Sequence, residues 1–120
     1  MPASLPKSAA HETSLIKAAF IDKFPNHKPI EDKPVNVEIL ACFDLPESYP
    51  KRVKEELEEK GFLPHLKKPD WDNVGKTVSD ALNGLAWDDD SLIAKACVSK
   101  VYANKGAQLI VNIKWSDENG

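Results

Sequence analysis

Two stretches far apart in the chain alternate apolar and polar residues, and they restrict the fold more than any other feature. Val35, Val37, Ile39, Ala41 and Phe43 alternate with Asn36, Glu38 and Asp44, and Leu109, Val111, Ile113 and Trp115 alternate with Gln108, Asn112 and Lys114. A period of two turns one side of a strand into a core and the other toward solvent. Leu40 and Cys42 interrupt the first pattern, so both faces of that strand become covered along its length. A sheet with one apolar face needs helices to cover it. Leu15, Ile16, Ala19, Phe20 and Phe24 share a helical face between about His11 and Phe24, and Pro25 ends that helix. A second helix is expected to start near Asp70 to Asp72 and end at Asn83-Gly84, with Val74, Val78, Ala81, Leu82 and Leu85 on its apolar face. Between them, Ser48 and Pro50 supply an N-cap and an early-turn proline, and Gly61 a C-cap, for a short charged helix. After Trp87 the pattern predicts a hairpin, with one strand over Leu92 to Tyr102, a turn at Asn104 to Gly106, and a return strand to Trp115. The order gives an α+β fold, a small mixed or antiparallel sheet with helices packed on it.

A length of 120 residues fits one domain, 1–120, with a thin core. Residues 1–10 are expected to be disordered, and they carry no apolar stretch of the kind a signal peptide needs. No apolar run approaches the roughly 20 residues that cross a bilayer. Cys42 and Cys97 have no CxxC partner, and His11, His27 and His65 are scattered, which excludes a zinc site of about four clustered ligands. Both cysteines read as buried thiols in a reducing cytoplasm. The net charge of −3 argues mildly against a nucleic-acid partner. That objection weakens if the acids gather at a metal site, where bound cations offset them.

The acids do gather along the sequence. Asp70 and Asp72 flank Trp71 at the entry of the second apolar-faced helix, and Asp89 and Asp90 follow Trp87 after a glycine turn. Carboxylate clusters suit Mg²⁺, a hard ion that prefers oxygen. Two such ions can clamp the attacking and leaving oxygens of a phosphodiester, and Lys76, one turn from Asp72, can reach a phosphate oxygen. Plainer readings fit as well. Asp70 or Asp72 can be an N-cap, Asp88 to Asp90 a solvated turn, and Lys76 an i,i+4 partner of Asp72 or Asp80. Trp71 and Trp87 are either core residues or wedges beside the acids.

The combination is more specific than its parts. Lys68-Pro69-Asp70-x-Asp72-Asn73-x-x-Lys76, then Asp80-Ala81-Leu82-Asn83-Gly84, then Trp87-x-Asp89-Asp90-x-x-Ile93 resembles the pattern of the RusA family of Holliday junction resolvases in order and spacing. Lys100-Val101-Tyr102 resembles that family's strand ending. The resemblance is close over about 67–115 and looser over 11–66. It implies a cytoplasmic, homodimeric, Mg²⁺-dependent endodeoxyribonuclease of phage or prophage type. Such an enzyme nicks two opposing strands of a four-way DNA junction, with no organic cofactor and no membrane. It carries catalytic roles to Asp70, Asp72, Asp90 and Lys76, and metal binding to Asp70, Asp72, Asp89 and Asp90. Lys51, Arg52, Lys67, Lys68 and Lys100 are the main candidates for DNA contacts, with Lys95 and Lys105 as further positive positions. Two other outcomes fit the same residues, a degenerate protein that binds branched DNA without cutting and another Mg²⁺-dependent phosphotransfer enzyme. The chain departs from the family pattern at its start, where the usual first strand and basic loop are expected to be missing. It departs again at Gly75, a helix-interior glycine that costs roughly 1 kcal/mol against alanine.

Overall fold

Why one sheet face is greasy and the other wet becomes clear in a computed structural model, which describes residues 2–5 and 13–116. The sheet has five strands, β1 (Pro2–Leu5), β2 (Val35–Phe43), β3 (Phe62–Pro64), β4 (Ile93–Ala103) and β5 (Gln108–Trp115), in the order β1-β5-β2-β4-β3. β2 lies parallel to β4, and the other pairings are antiparallel. Three helices complete the fold, α1 (Thr13–Lys23), α2 (Lys51–Lys60) and α3 (Trp71–Leu82). The α+β reading therefore holds.

The alternating residues do what their period requires. Val35, Val37, Ile39 and Ala41 of β2 and Leu109, Val111 and Ile113 of β5 are buried together with Ile16 and Phe20 of α1 and Val74, Val78, Ala81 and Leu82 of α3. Leu15, read as part of the α1 face, is exposed instead. Trp87 is fully buried at the centre of this cluster. On the opposite sheet face Asn36, Glu38, Lys95, Cys97 and Lys114 stay exposed, and Lys114 pairs with Glu38 at 2.8 Å. Cys42 is a buried thiol whose pKa burial pushes up, but Cys97 is exposed, so the expectation of two buried cysteines is half corrected.

Three further differences are physical lessons. First, β4 and β5 do not form a hairpin, because β2 is inserted between them. Their connection has to cross the end of β2, and it is tied there by Asp44 Oδ1, which accepts from Ala107 N at 3.0 Å. Gly106, at φ 96°, makes the bend. Second, the sheet does have a first strand. Pro2–Leu5 pairs antiparallel with Leu109 to Asn112 of β5, which corrects both the missing edge strand and the disorder expected for that part of 1–10. Residues 6–10 lie outside the described residues. Third, α2 starts two residues later than its caps suggested, since Pro50 itself is the N-cap and makes no side-chain bond, whereas Gly61 ends the helix with φ 83° as expected.

Candidate nuclease site

Five of the expected site residues sit on or beside α3. Asp70 is its N-cap and Asp72 lies in its first turn. Pro69 is preceded by a cis bond and leads the chain into the helix. Asp70 makes no capping hydrogen bond. Its carboxylate accepts instead from Lys68 Nζ at 3.0 Å, with both side chains largely in water. A surface pair of this kind holds little energy, about 0–1 kcal/mol, so Asp70 stays available to a cation. The N-cap reading of Asp70 is thus correct for its backbone and wrong for its side chain. Lys76 is exposed on the outer side of α3, and no ion pair joins it to Asp72 among the described residues.

The loop that carries Asp70 is held from a distance. Lys100 Nζ donates to Lys67 O at 2.7 Å and to Pro69 O at 2.8 Å. An ammonium committed to two carbonyls is a positioning group, not a free phosphate contact. Lys100→Met is expected to cost about 1–2 kcal/mol, below the upper range for charged hydrogen bonds because one of the two is exposed. Urea denaturation measures this, and an unchanged midpoint would show that the loop holds itself.

Asp89 and Asp90 are fixed by other means. A tight turn follows α3, in which Gly84 at φ 80° donates from its N–H to Trp87 O at 2.8 Å. Ile30, from the Pro- and Lys-rich segment, brackets the turn, since its N–H donates to Ala86 O and its carbonyl accepts from Asp88 N. His27 Nε2 also meets Ala86 O at 2.9 Å. Asp89 then caps a short 3-10 turn, Asp90–Leu92, by accepting from Ser91 N at 2.9 Å. Hydrogen bonds from the Ser91 side chain and then its backbone N–H hold the Asp89 carboxyl below its usual pKa. Asp90 Oδ1 accepts from the indole Nε1 of buried Trp87 at 2.7 Å. His27, Ile30 and Ser91 are positioning residues that the sequence reading missed. Only Ile30, a lone apolar residue among prolines and lysines, gave any signal.

A groove of about 260 Å³ runs between α3 and β4, lined by Asp72, Trp71, Gly75, Trp87, Ile93 and Val98 among others. Trp71, at 65% exposure, stands at its rim between the two aspartates. A Cβ on Gly75 would meet Val98 Cγ2 at 3.6 Å, an ordinary contact, so nothing in one chain demands glycine there. Gly75→Ala is therefore expected to stabilise the chain by up to about 1 kcal/mol through helix propensity, read as a raised Tm. A lowered Tm would mean that the groove has a tight occupant.

The structure divides the expected metal ligands. Asp70 and Asp72 sit at the entry of α3, Asp89 and Asp90 at the start of β4. Among the described residues no three His, Cys, Asp or Glu side chains come together as a cation site. A single chain thus offers carboxylates in two separate pairs and does not assemble the three or four donors of an oxygen-only cluster. Of the remaining basic candidates, Lys67 and Lys68 border Asp70. Lys51 and Arg52 lie in the first turn of α2, where Lys51 approaches Glu55 at 3.8 Å.

Comparison with known proteins adds the following. The family model for endodeoxyribonuclease RusA matches residues 3–114. An uncharacterized protein, YqaN of Bacillus subtilis (strain 168), is 39% identical over 82 residues, which is 66% of this chain and 58% of that protein. The match thus spans a little over half the length of that relative.

Proposed function

This chain belongs to the endodeoxyribonuclease RusA family, and from that premise we propose that it is a Mg²⁺-dependent, structure-selective endodeoxyribonuclease that resolves four-way DNA junctions as a homodimer. The observation that carries this reading is the entry of α3, where Asp70 and Asp72 stand in water beside Lys67, Lys68 and an exposed Trp71. Acids, cations and an aromatic face in one exposed place suit a phosphodiester more than a small apolar ligand. Nucleases of this family generally use a divalent metal.

The roles proposed for the chain's own residues follow from their positions. Lys67 and Lys68 hold backbone phosphates near the acids, a salt-sensitive contribution. Lys76, one turn along α3 and free of a carboxylate partner, neutralises charge developing on the phosphoryl oxygens. Trp71 stacks on a base exposed at the branch point, as aromatic side chains do with unpaired bases. Asp70, Asp72, Asp89 and Asp90 are the proposed metal ligands, although one chain does not bring three of them together. Two-fold symmetry of a dimer would match the near two-fold symmetry of a junction, so that nicks fall in pairs.

The test is a labelled synthetic four-way junction incubated with the full chain in Mg²⁺ or in EDTA, beside Asp70→Asn. Paired, ligatable nicks that need Mg²⁺ and vanish in the variant are expected. Nicks that persist in Asp70→Asn would overturn the site. A junction shifted on a gel but never cut would favour the non-cutting binder, which the divided acid set also fits.

A further inference from the structure

We propose that two copies of this chain pair antiparallel through the free outer edge of β4, and that this pairing sets Asp89 and Asp90 of each copy beside Asp70 and Asp72 of the other. The inference rests on the junction-nuclease reading for what the completed acid set does, but not for the pairing itself.

The edge comes first. β3 covers β4 only at Val101, Tyr102 and Ala103, and one further bond runs from His65 N to Lys100 O. Among the described residues nothing pairs with the outer side of Lys95 to Ser99. Lys95, Ala96, Cys97 and Ser99 are exposed. An open strand edge is a template for another strand. The Lys100 carbonyl points outward, so by the alternation of a strand the N–H and C=O groups of Val98 and Ala96 also point outward. A bulge at Ala94, which pairs with no β2 residue, ends this regular stretch on one side, and the Pro64-His65 segment ends it on the other.

The register is then determined. A two-fold axis through Cys97 opposes Ala96 with the partner's Val98, and Lys95 with the partner's Ser99. Every outward polar group of the stretch is satisfied, and no like charges meet. Ala96 and Val98 also line the groove beside α3, so the partner strand would cover apolar surface next to exposed Trp71.

The charges match the same arrangement. One end of β4 carries exposed Asp88 and Asp89 with Asp90, and the other lies against Lys67 and Lys68 through the Lys100 anchor. Antiparallel pairing sets acid on base twice, as an isologous interface must. Within one chain, Ile93 and Lys100 are separated by seven strand rises, roughly 23 Å. Across the pair, adjacent strands lie only about 4.8 Å apart. The partner's Asp90 segment then abuts the Asp70 loop, which supplies what one chain lacks.

Oxidation of the full chain tests the pairing. Cys97 would face Cys97 of the partner subunit at a non-hydrogen-bonded position, where Cα atoms are about 4.5 Å apart and a disulfide can form. A cross-linked dimer on a non-reducing gel, absent in Cys97→Ser, is expected. Ala96→Pro removes an outward N–H and should sediment as a monomer. A monomeric wild type, or a dimer that neither cross-links nor responds to Ala96→Pro, would overturn the pairing. Shared sites are tested by mixing Asp72→Asn with Asp90→Asn after subunit exchange, with Mn²⁺ binding read by electron paramagnetic resonance and nicking read in parallel. Each variant alone should lack both signals, and the mixture should recover about a quarter of the wild-type Mn²⁺ sites, because half of the dimers carry one intact site. No recovery despite exchange would overturn the sharing. Cross-linking and Mn²⁺ recovery with no nicking of any junction would leave the interface standing and remove the nuclease reading.

Discussion

Asp72→Asn is expected to lower junction nicking by about 10³-fold or more while leaving the fold nearly as stable as before. The two effects separate because of where Asp72 sits. It lies in the first turn of α3, exposed, and no hydrogen bond or ion pair ties its side chain to the rest of the described residues. The fold uses its charge only through the helix dipole, worth about 0.3–1 kcal/mol at an exposed first turn. Asparagine keeps the shape and loses that fraction. For the proposed reaction the carboxylate matters far more. A ligand to the cation that stabilises transition-state charge contributes several kcal/mol, and about 4 kcal/mol corresponds to roughly 10³ in rate. Steady-state nicking at saturating junction, with urea denaturation of the same preparation, checks both halves. A variant that nicks normally removes Asp72 from the site. A variant that loses nicking only because it unfolds would show the carboxylate to be structural after all.

What could be read from the sequence, and what could not, follows from the range of each interaction. The α3 face was legible because Val74, Val78, Ala81 and Leu82 repeat at helical spacing and are all buried. The buried faces of β2 and β5 were legible for the same reason at period two. Strand pairing was not, because alternation says which face is buried and not which strand lies alongside. The inserted β2 therefore read as a hairpin of its two neighbours. Pro2–Leu5 carries no alternation, and Phe62–Pro64 is three residues long, so neither β1 nor β3 left a pattern. The site shows the same division. Asp70, Asp72, Asp89, Asp90 and Lys76 stood out by spacing, but their surroundings did not. Lys100 looked like any surface lysine, since the carbonyls it holds lie 31 and 33 residues away. The bracket of Ile30 around Ala86 to Asp88 spans a similar gap in sequence. The separation of the acids into two pairs was hidden too, because short sequence distance between Asp72 and Asp89 says nothing about the helix that runs between them.

The largest stability effect is expected from Trp87. Trp87→Ala should cost about 3–5 kcal/mol, the range for removing a large buried aromatic side chain, and a domain of this size has only about 5–15 kcal/mol to lose. Trp87 has no exposed surface and packs where α1, α3 and β2 meet. Its backbone also bridges to Ile30 and Asn83, so a cavity there loosens the turn as well as the core. Trp87→Phe distinguishes packing from hydrogen bonding. Phenylalanine fills most of the space and cannot donate to Asp90, whose Oδ1 takes the indole N–H at 2.7 Å. The expected result is a folded protein, weakened by about 1–3 kcal/mol, in which the Asp90 carboxylate is no longer aimed. Nicking should then fall further than stability does. Denaturation midpoints and junction cleavage measured side by side decide the matter. If Trp87→Phe cuts at the wild-type rate, Asp90 needs no aiming, and the tryptophan serves the core alone. If nicking falls while the fold persists, one buried indole links the packing of the sheet to the geometry of the acids.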